Sequence, residues 1–425
     1  VFDLFHRTYL AIFRRYPVLG RMAVIVVLGE VVQSGVNNYA LPFYVLDDLG
    51  QPGRTLGILV SSFLIAEMLL KLPFGHLSDR HGRRRFVILG IACSAATALV
   101  ICLAPVGAFA AFPSLVFLIL MPLRGVDGAG AASLWPPLFA SVPDNVPSQE
   151  RGVGMSVMNT AYLAGVAVGP AVAGASITLW RGSGLAPAWV SKAPFLMVVI
   201  AAAAGVAVAA TLPARRAMEE EAAARARGQW PPLRVVAIIM MITLSEMFAT
   251  GTLAPYLAPY LQRTGGVPRE SVGFVLVGLF IPAGLLGIPL GHLADRWPKR
   301  RVVQMALLIV AAGLWGVPCC RALAPLAASG VVVMLGFMLG LPAWLALISD
   351  LAPEGHTGRV MGLMATAQGA GAFLGPLAGG YLWDVDIRYP FYAAAALLTL
   401  SAVIALLFLG AAQAGAAPRR GESQL

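Results

Sequence analysis

Twelve stretches of about twenty mostly apolar residues follow one another along the chain, separated by short polar connections. A run of that length is what an α-helix needs to cross the hydrocarbon core of a bilayer. In lipid every backbone N–H and C=O must be satisfied within the segment, so such runs are helical. The predicted spans are 21–46, 55–78, 85–105, 113–141, 152–179 and 190–212, then 233–261, 271–293, 302–322, 328–350, 359–383 and 389–411. The one long polar connection, Pro213 to Arg234, carries Glu219, Glu220 and Glu221 and ends at Pro231-Pro232, so it reads as a linker between two six-helix bundles. The predicted organisation is a segment 1–20, a bundle 21–212, a linker 213–233, a bundle 234–411 and a tail 412–425.

Composition closes off the alternatives. Of the 425 residues, 59% are hydrophobic and 12% charged, where a soluble domain carries roughly 25% charged. The net charge of +10 does not mark a nucleic-acid surface, because the basic residues sit in short clusters between apolar runs. With both termini placed in the cytoplasm, 21 Lys and Arg fall on the inner side and seven on the outer, as the positive-inside rule requires. No signal-peptide pattern stands at the start; Phe2, Phe5, Tyr9 and Phe13 among Arg7, Arg14 and Arg15 fit either an amphipathic helix on the membrane surface or a plain cytoplasmic lead-in. Cys93, Cys102, Cys319 and Cys320 have neither disulfide-framework nor metal-ligand spacing and read as buried apolar residues. No metal, cofactor or nucleic acid is expected.

The halves repeat. Gly75-His76-Leu77-Ser78-Asp79-Arg80 recurs 216 residues later as Gly291-His292-Leu293-Ala294-Asp295-Arg296, with Pro73 over Pro289 and Gly57 over Gly273. Each copy ends a span and leads into a basic cluster, Arg83-Arg84-Arg85 or Lys299-Arg300-Arg301. Gly165-x-x-x-Gly169-Pro170-x-x-x-Gly174 recurs as Gly371-x-x-x-Gly375-Pro376-x-x-Gly379 at an offset of 206. Paired halves with a site between them are a common plan among transporters.

These residues carry a resemblance to the major facilitator superfamily over essentially the whole chain. Gly75 to Arg85, with Asp79, Arg80, Gly82 and Arg83, is similar to that family's signature between its second and third helices; Trp297-Pro298 departs from it in the second copy. Leu123-Arg124-Gly125-x-x-Gly128-x-Gly130 resembles the fourth-helix signature. Gly165 to Gly174 resembles the fifth-helix antiporter signature, with Ala173 where a second glycine is common. The resemblance implies twelve helices in two pseudo-symmetric bundles working by alternating access. It also implies a latch at Gly75, Asp79, Arg80, Gly82 and Arg83, with Asp295 and Arg296 as the weaker copy, and a proton-relay role for Arg124; the alternative for the loop is that its cluster, Arg83 to Arg85 above all, only enforces topology. Gly165, Gly169, Pro170, Gly174, Gly371, Gly375 and Pro376 would form close-packed pivots, or plain packing faces.

Charges inside spans are the functional signal, since each costs roughly 2.5–3.5 kcal/mol at mid-membrane. The candidates for proton coupling are Glu30, Glu246, Glu67, Arg124 and Asp127. Gln33 and Asn37 follow Glu30 on one helical face, flanked by Asn38 and Tyr39. The 216-residue offset that aligns the loops also places Glu246 on Glu30, with Thr250 one turn beyond. Desolvation favours the neutral form of a carboxyl group, so either glutamate suits proton exchange; direct contact with a cationic substrate is the alternative. Glu67 and Lys71 stand at i and i+4, suited to a mutual ion pair or to a cavity role. Arg124 has Asp127 one turn on, or serves as counter-ion to Glu30 or Glu67. Trp135, Asn159, Tyr162, Tyr256, Trp344 and Gln368 complete the candidate lining.

The expected function is proton-coupled export of amphipathic organic molecules by a monomer in a bacterial inner membrane. A lipid or lysolipid transporter and a nutrient importer share the fold. No nucleophile–base constellation or Walker A sequence points to an enzyme or an ATP-driven pump.

Overall fold

The computed structural model describes residues 12–104, 109, 114–147, 149–184, 187–213, 233–294, 296–351 and 357–416. Twelve long helices fill them, and all twelve predicted spans are present. The first six are α1 Pro17–Asp48, α2 Gly53–His81, α3 Arg83–Leu103, α4 Val116–Asn145, α5 Arg151–Arg181 and α6 Ala193–Ala209. The second six are α7 Leu233–Gly265, α8 Arg269–Ala294, α9 Lys299–Cys319, α10 Leu323–Leu351, α11 Thr357–Val385 and α12 Tyr389–Ala416. Most of the segment 1–20, the linker with Glu219 to Glu221, and Asp295 lie outside the described residues.

Two helices widen locally into π-helix, at Val36–Ala40 and Tyr44–Asp48 in α1 and at Val116–Leu120 in α4. Two of these segments end just before a proline, Pro42 or Pro122. Proline cannot donate to the carbonyl four residues back and its ring crowds it; a wider turn relieves that crowding. The helix α2 runs past the predicted end at 78 to His81, so Asp79 lies in its last turn, and it stops where Gly82 adopts φ +95°. Only glycine takes that conformation without strain.

The chain divides into two compact units. Unit 1 holds Val1–Glu220 together with Leu257–Gln262 and Val267–Val277; unit 2 holds the remainder, so α7 and α8 contribute to both. In unit 1, α1 packs on α5 and α6, and α4 on α2 and α3. In unit 2, α9 packs on α10 and α12 around a core that includes Ile242, Val303, Leu314, Leu347 and Leu398.

The repeated glycines sit at close backbone approaches in both units. A Cβ on Gly165 would come within 2.5 Å of Glu30 Cβ and 2.9 Å of the Val27 carbonyl. One on Gly375 would meet the Phe248 carbonyl at 2.5 Å and the Thr252 nitrogen at 2.8 Å. The pairs α1–α5 and α7–α11 are thus built alike, as the repeat requires. Without a hydrophobic drive between helices in lipid, this closeness is what binds them. Ser34 Oγ adds a bond to the Gly165 carbonyl at 3.2 Å, and Thr252 Oγ1 one to the Gly375 carbonyl at 3.1 Å. Apolar side chains such as Leu72, Leu118, Leu179 and Leu407 are exposed, as a lipid-facing surface demands. The cysteines depart from the expectation: Cys102 is buried, but Cys319 is exposed and Cys93 and Cys320 are intermediate.

Candidate functional site

Unit 1 encloses a closed ring of polar side chains. Gln33 Nε2 donates to Ser94 Oγ at 3.2 Å, and Ser94 Oγ donates to Asp127 Oδ1 at 2.6 Å. Arg124 donates through Nη1 to Asp127 and through Nη2 to Asn37 Oδ1. Asn37 Nδ2 closes the ring on Gln33 Oε1 at 3.4 Å. The Arg124 guanidinium also lies 4.6 Å from the centre of the Phe63 ring. Arg124 is 1% exposed and Asp127 4%; water contributes little there, so the charges must compensate each other. Asp127, not Glu30 or Glu67, is the counter-ion of Arg124. The ring ties α1 to α3 and α4.

The second predicted pair also forms: Lys71 Nζ stands 2.8 Å from Glu67 Oε1. Of the in-span charges singled out by the sequence, Glu30 and Glu246 therefore remain. Glu30 is 6% exposed and has no hydrogen-bond or ion-pair partner among the described residues. Its electrostatic neighbours are Glu67 and Tyr162, and Tyr162 stands edge-on to Trp135 at 5.6 Å between ring centres. Glu30, Glu67, Trp135 and Tyr162, from α1, α2, α4 and α5, thus form one cluster.

In unit 2, Glu246 is half-buried and likewise lacks a partner among the described residues. It opens onto a pocket whose other walls include Val303, Leu307, Phe337, Trp344 and Leu398. The Trp344 indole N–H donates to Thr243 Oγ1 at 3.3 Å, so the ring is held as a wall. The pocket is apolar except for one carboxylate.

Other candidates fall elsewhere. Tyr39 is fully buried and its hydroxyl donates to the Arg269 carbonyl at 2.5 Å. Tyr256 is fully buried and donates to the Pro376 carbonyl at 3.2 Å. Asn159 and Thr250 are exposed, Asn38 and Gln368 half-buried, and the Thr250 hydroxyl returns to the Glu246 carbonyl at 2.9 Å. At the loop signature Asp79 stands 3.4 Å from Arg83, and Arg83 stands 3.0 Å from Asp144. Gly75 and Gly82 are half-buried, while Arg80 and Arg296 are exposed.

Sequence reasoning missed a cluster within unit 1. Arg269 grips Asp48 through two bonds of 2.8 and 3.0 Å, and its guanidinium lies 4.9 Å from the Phe43 ring centre. Next to it Arg181 and Glu270 pair at 2.8 Å, and a Cβ on Gly174 would meet the Glu270 carbonyl at 2.6 Å. Charges at helix ends read as topology markers, and nothing in the spacing of 48 and 269 signals a pair. The Arg269 and Asp48 side chains are 16% and 15% exposed. Asp48→Asn is expected to lower stability by about 3 kcal/mol, the scale for stranding one charge of a buried pair. Thermal unfolding in detergent reads it; Asp48→Glu, which keeps the charge, recovers part of the loss.

The comparisons agree with this architecture. The model of the Major Facilitator Superfamily matches residues 23–238 and again 239–424. Multidrug resistance protein 2 of Bacillus subtilis (strain 168) is 23% identical over 352 residues, covering 80% of this chain and 82% of its own. Quinolone resistance protein NorA of Staphylococcus aureus (strain Mu50 / ATCC 700699) is 24% identical over 380 residues, covering 86% and 90%. Among solved structures, a bacterial homolog of the human lysosomal transporter Spinster superposes with TM-score 0.70 at 17% identity over 97% of this chain and 96% of its own. A D-xylose-proton symporter superposes with TM-score 0.67 at 15% identity over 92% and 96%. With its repeated half, its twelve helices and a family model matched in both halves, the chain belongs to the Major Facilitator Superfamily and is a multi-pass membrane transporter.

Proposed function

We propose that this transporter exports amphipathic organic molecules, cationic ones included, in exchange for protons by alternating access. Glu30 and Glu246 are the proton-exchanging groups in this reading. One observation carries it: of the in-span charges singled out by the sequence, Arg124 pairs with Asp127 and Lys71 with Glu67, whereas these two carboxylates have no such partner among the described residues. An uncompensated carboxylate in a low-dielectric setting takes up either a proton or another cation. A substrate bearing positive charge therefore competes with the proton, and that competition couples the two fluxes. Aromatic and aliphatic surroundings, Trp135 and Tyr162 beside Glu30 and Phe337 and Trp344 beside Glu246, suit the apolar part of such a substrate. The names of the curated relatives, multidrug and quinolone resistance proteins, point the same way. The chain works as a monomer in a bacterial inner membrane with both termini cytoplasmic, in line with its charge bias.

The test uses purified protein in proteoliposomes under an imposed pH gradient, with three probes: a fluorescent lipophilic cation, a labelled lysophosphatidylcholine and a labelled pentose. Accumulation of the cation driven by the gradient and abolished by a protonophore is expected. Gradient-independent movement of the lysolipid alone would replace this reading with lipid transport, and pentose accumulation would replace it with nutrient uptake.

A further inference from the structure

The end of unit 1 that bears Arg83 and Arg84 holds a second pocket, a small one open to the surface and separate from the glutamates. Its polar wall includes Arg83, Arg84, Asp144 and Asn145; its apolar wall is Val18, Met22, Leu212 and Pro213. Arg84 donates to the Leu212 carbonyl at 3.3 Å, and Arg21 to the neighbouring Thr211 carbonyl at 3.0 Å. Two guanidinium groups thus bond one turn. Arg83 lines the same pocket. Its Nε and Nη1 are buried and make no hydrogen bond, although Nη1 is 3.0 Å from Asp144 Oδ2. The ion pair is close, but it leaves guanidinium N–H groups without an acceptor in line.

Asp79 and Asp144 compensate the charge of Arg83, but a buried N–H without an acceptor in line is costly, and the Arg83 Nε offers one. Several N–H groups around a concave space suit a group with oxygens in a tetrahedral arrangement; guanidinium forks match phosphate in this way. The apolar wall opposite gives the ligand a second, non-polar portion. The pocket is made from helix ends, the start of α1 and α3 and the end of α4 and α6, which in a multi-pass protein lie at the level of lipid headgroups. Basic pockets between helix ends at that level bind anionic headgroups.

We infer that this pocket is a binding site for the phosphate of an anionic phospholipid, seated on Arg83 and Arg84 with its glycerol against Met22 and Leu212. Asp144 competes with the phosphate for Arg83.

The full chain in detergent is titrated with dihexanoyl phosphatidylglycerol and, separately, with inorganic phosphate, following Tm. A ligand that binds only the folded state raises Tm in a saturable way. The lipid is expected to act at concentrations at least about tenfold below inorganic phosphate, since the apolar wall adds contacts worth about 1.4 kcal/mol or more. Arg84→Gln is expected to weaken the lipid at least about tenfold. Asp144→Asn is expected to tighten it about threefold or more by removing the competing carboxylate, a gain that mere loss of stability does not mimic. Equal potency of inorganic phosphate would keep the phosphate site and reject the lipid as its source. No response to either ligand, or responses identical in wild type and both variants, would overturn the inference.

Discussion

Glu30→Gln combined with Glu246→Gln is expected to abolish proton-driven export while leaving exchange of a neutral substrate analogue between the two sides of the membrane intact. Glutamine keeps the shape and polarity of the side chain and removes its proton chemistry. The expected fall in gradient-driven flux is about 10²-fold or more, the scale on which one positioned proton-transfer group contributes. Each single variant is expected to lose part of the coupling, the larger share falling on the carboxylate that substrate displaces. Removing either negative charge lifts the cost of holding it away from water. Thermal stability is therefore expected to hold or rise as coupling falls, which separates a functional role from a structural one. Full coupling in the double variant would end the proposal.

Arg124→Gln is expected to be the most damaging substitution for stability. Arg124 and Asp127 are both buried and joined in a ring with Asn37, Gln33 and Ser94. Truncating one member strands the Asp127 charge, at about 3–5 kcal/mol. It also frees Asn37 and opens the polar tie between α1 and α4. Arg124→Met combined with Asp127→Leu removes both charges together; replacing a buried pair by apolar residues of similar volume is often neutral. The double variant is expected to recover most of the lost Tm, with proton coupling retained if the ring is a brace and lost if Arg124 relays protons. Equal instability of the single and double variants would show that stranding of Asp127 is not the cause.

How much of this was legible in the sequence follows from the physics of each feature. Length and apolarity locate helices in lipid because the bilayer imposes both, and all twelve spans were readable for that reason. The register aligning Glu30 with Glu246 was readable from the offset of 216 that the loop repeat shares with Pro73 and Gly57, before the later glycine repeat shifts it to 206. The Glu67–Lys71 and Arg124–Asp127 pairs were readable from i, i+4 and i, i+3 proximity on a helix. Contacts between helices distant in sequence were not. Ser94 is an unremarked serine in an apolar run until α3 meets α4, where it links Gln33 to Asp127. Asp48 and Arg269 are 221 positions apart. Tyr39 was read as part of a cavity face from its neighbours Asn37 and Asn38. The π-helical turn Val36–Ala40 changes the angular spacing there, and the ring is instead buried with its hydroxyl on the Arg269 carbonyl. The fully buried Tyr256 hydroxyl is likewise spent on helix packing. A polar residue's type shows that it needs a partner; only the packing shows which partner it finds.

The account rests on a proton leaving the protein when substrate arrives. Purified transporter in lightly buffered detergent solution near neutral pH, with a pH-indicator dye, measures this directly as a lipophilic cation is added. The wild type is expected to acidify the solution in proportion to cation bound, and the Glu30→Gln, Glu246→Gln protein to bind neutral analogues without any pH change. Cation binding with no proton released by the wild type, or equal release from the double variant, would contradict the account.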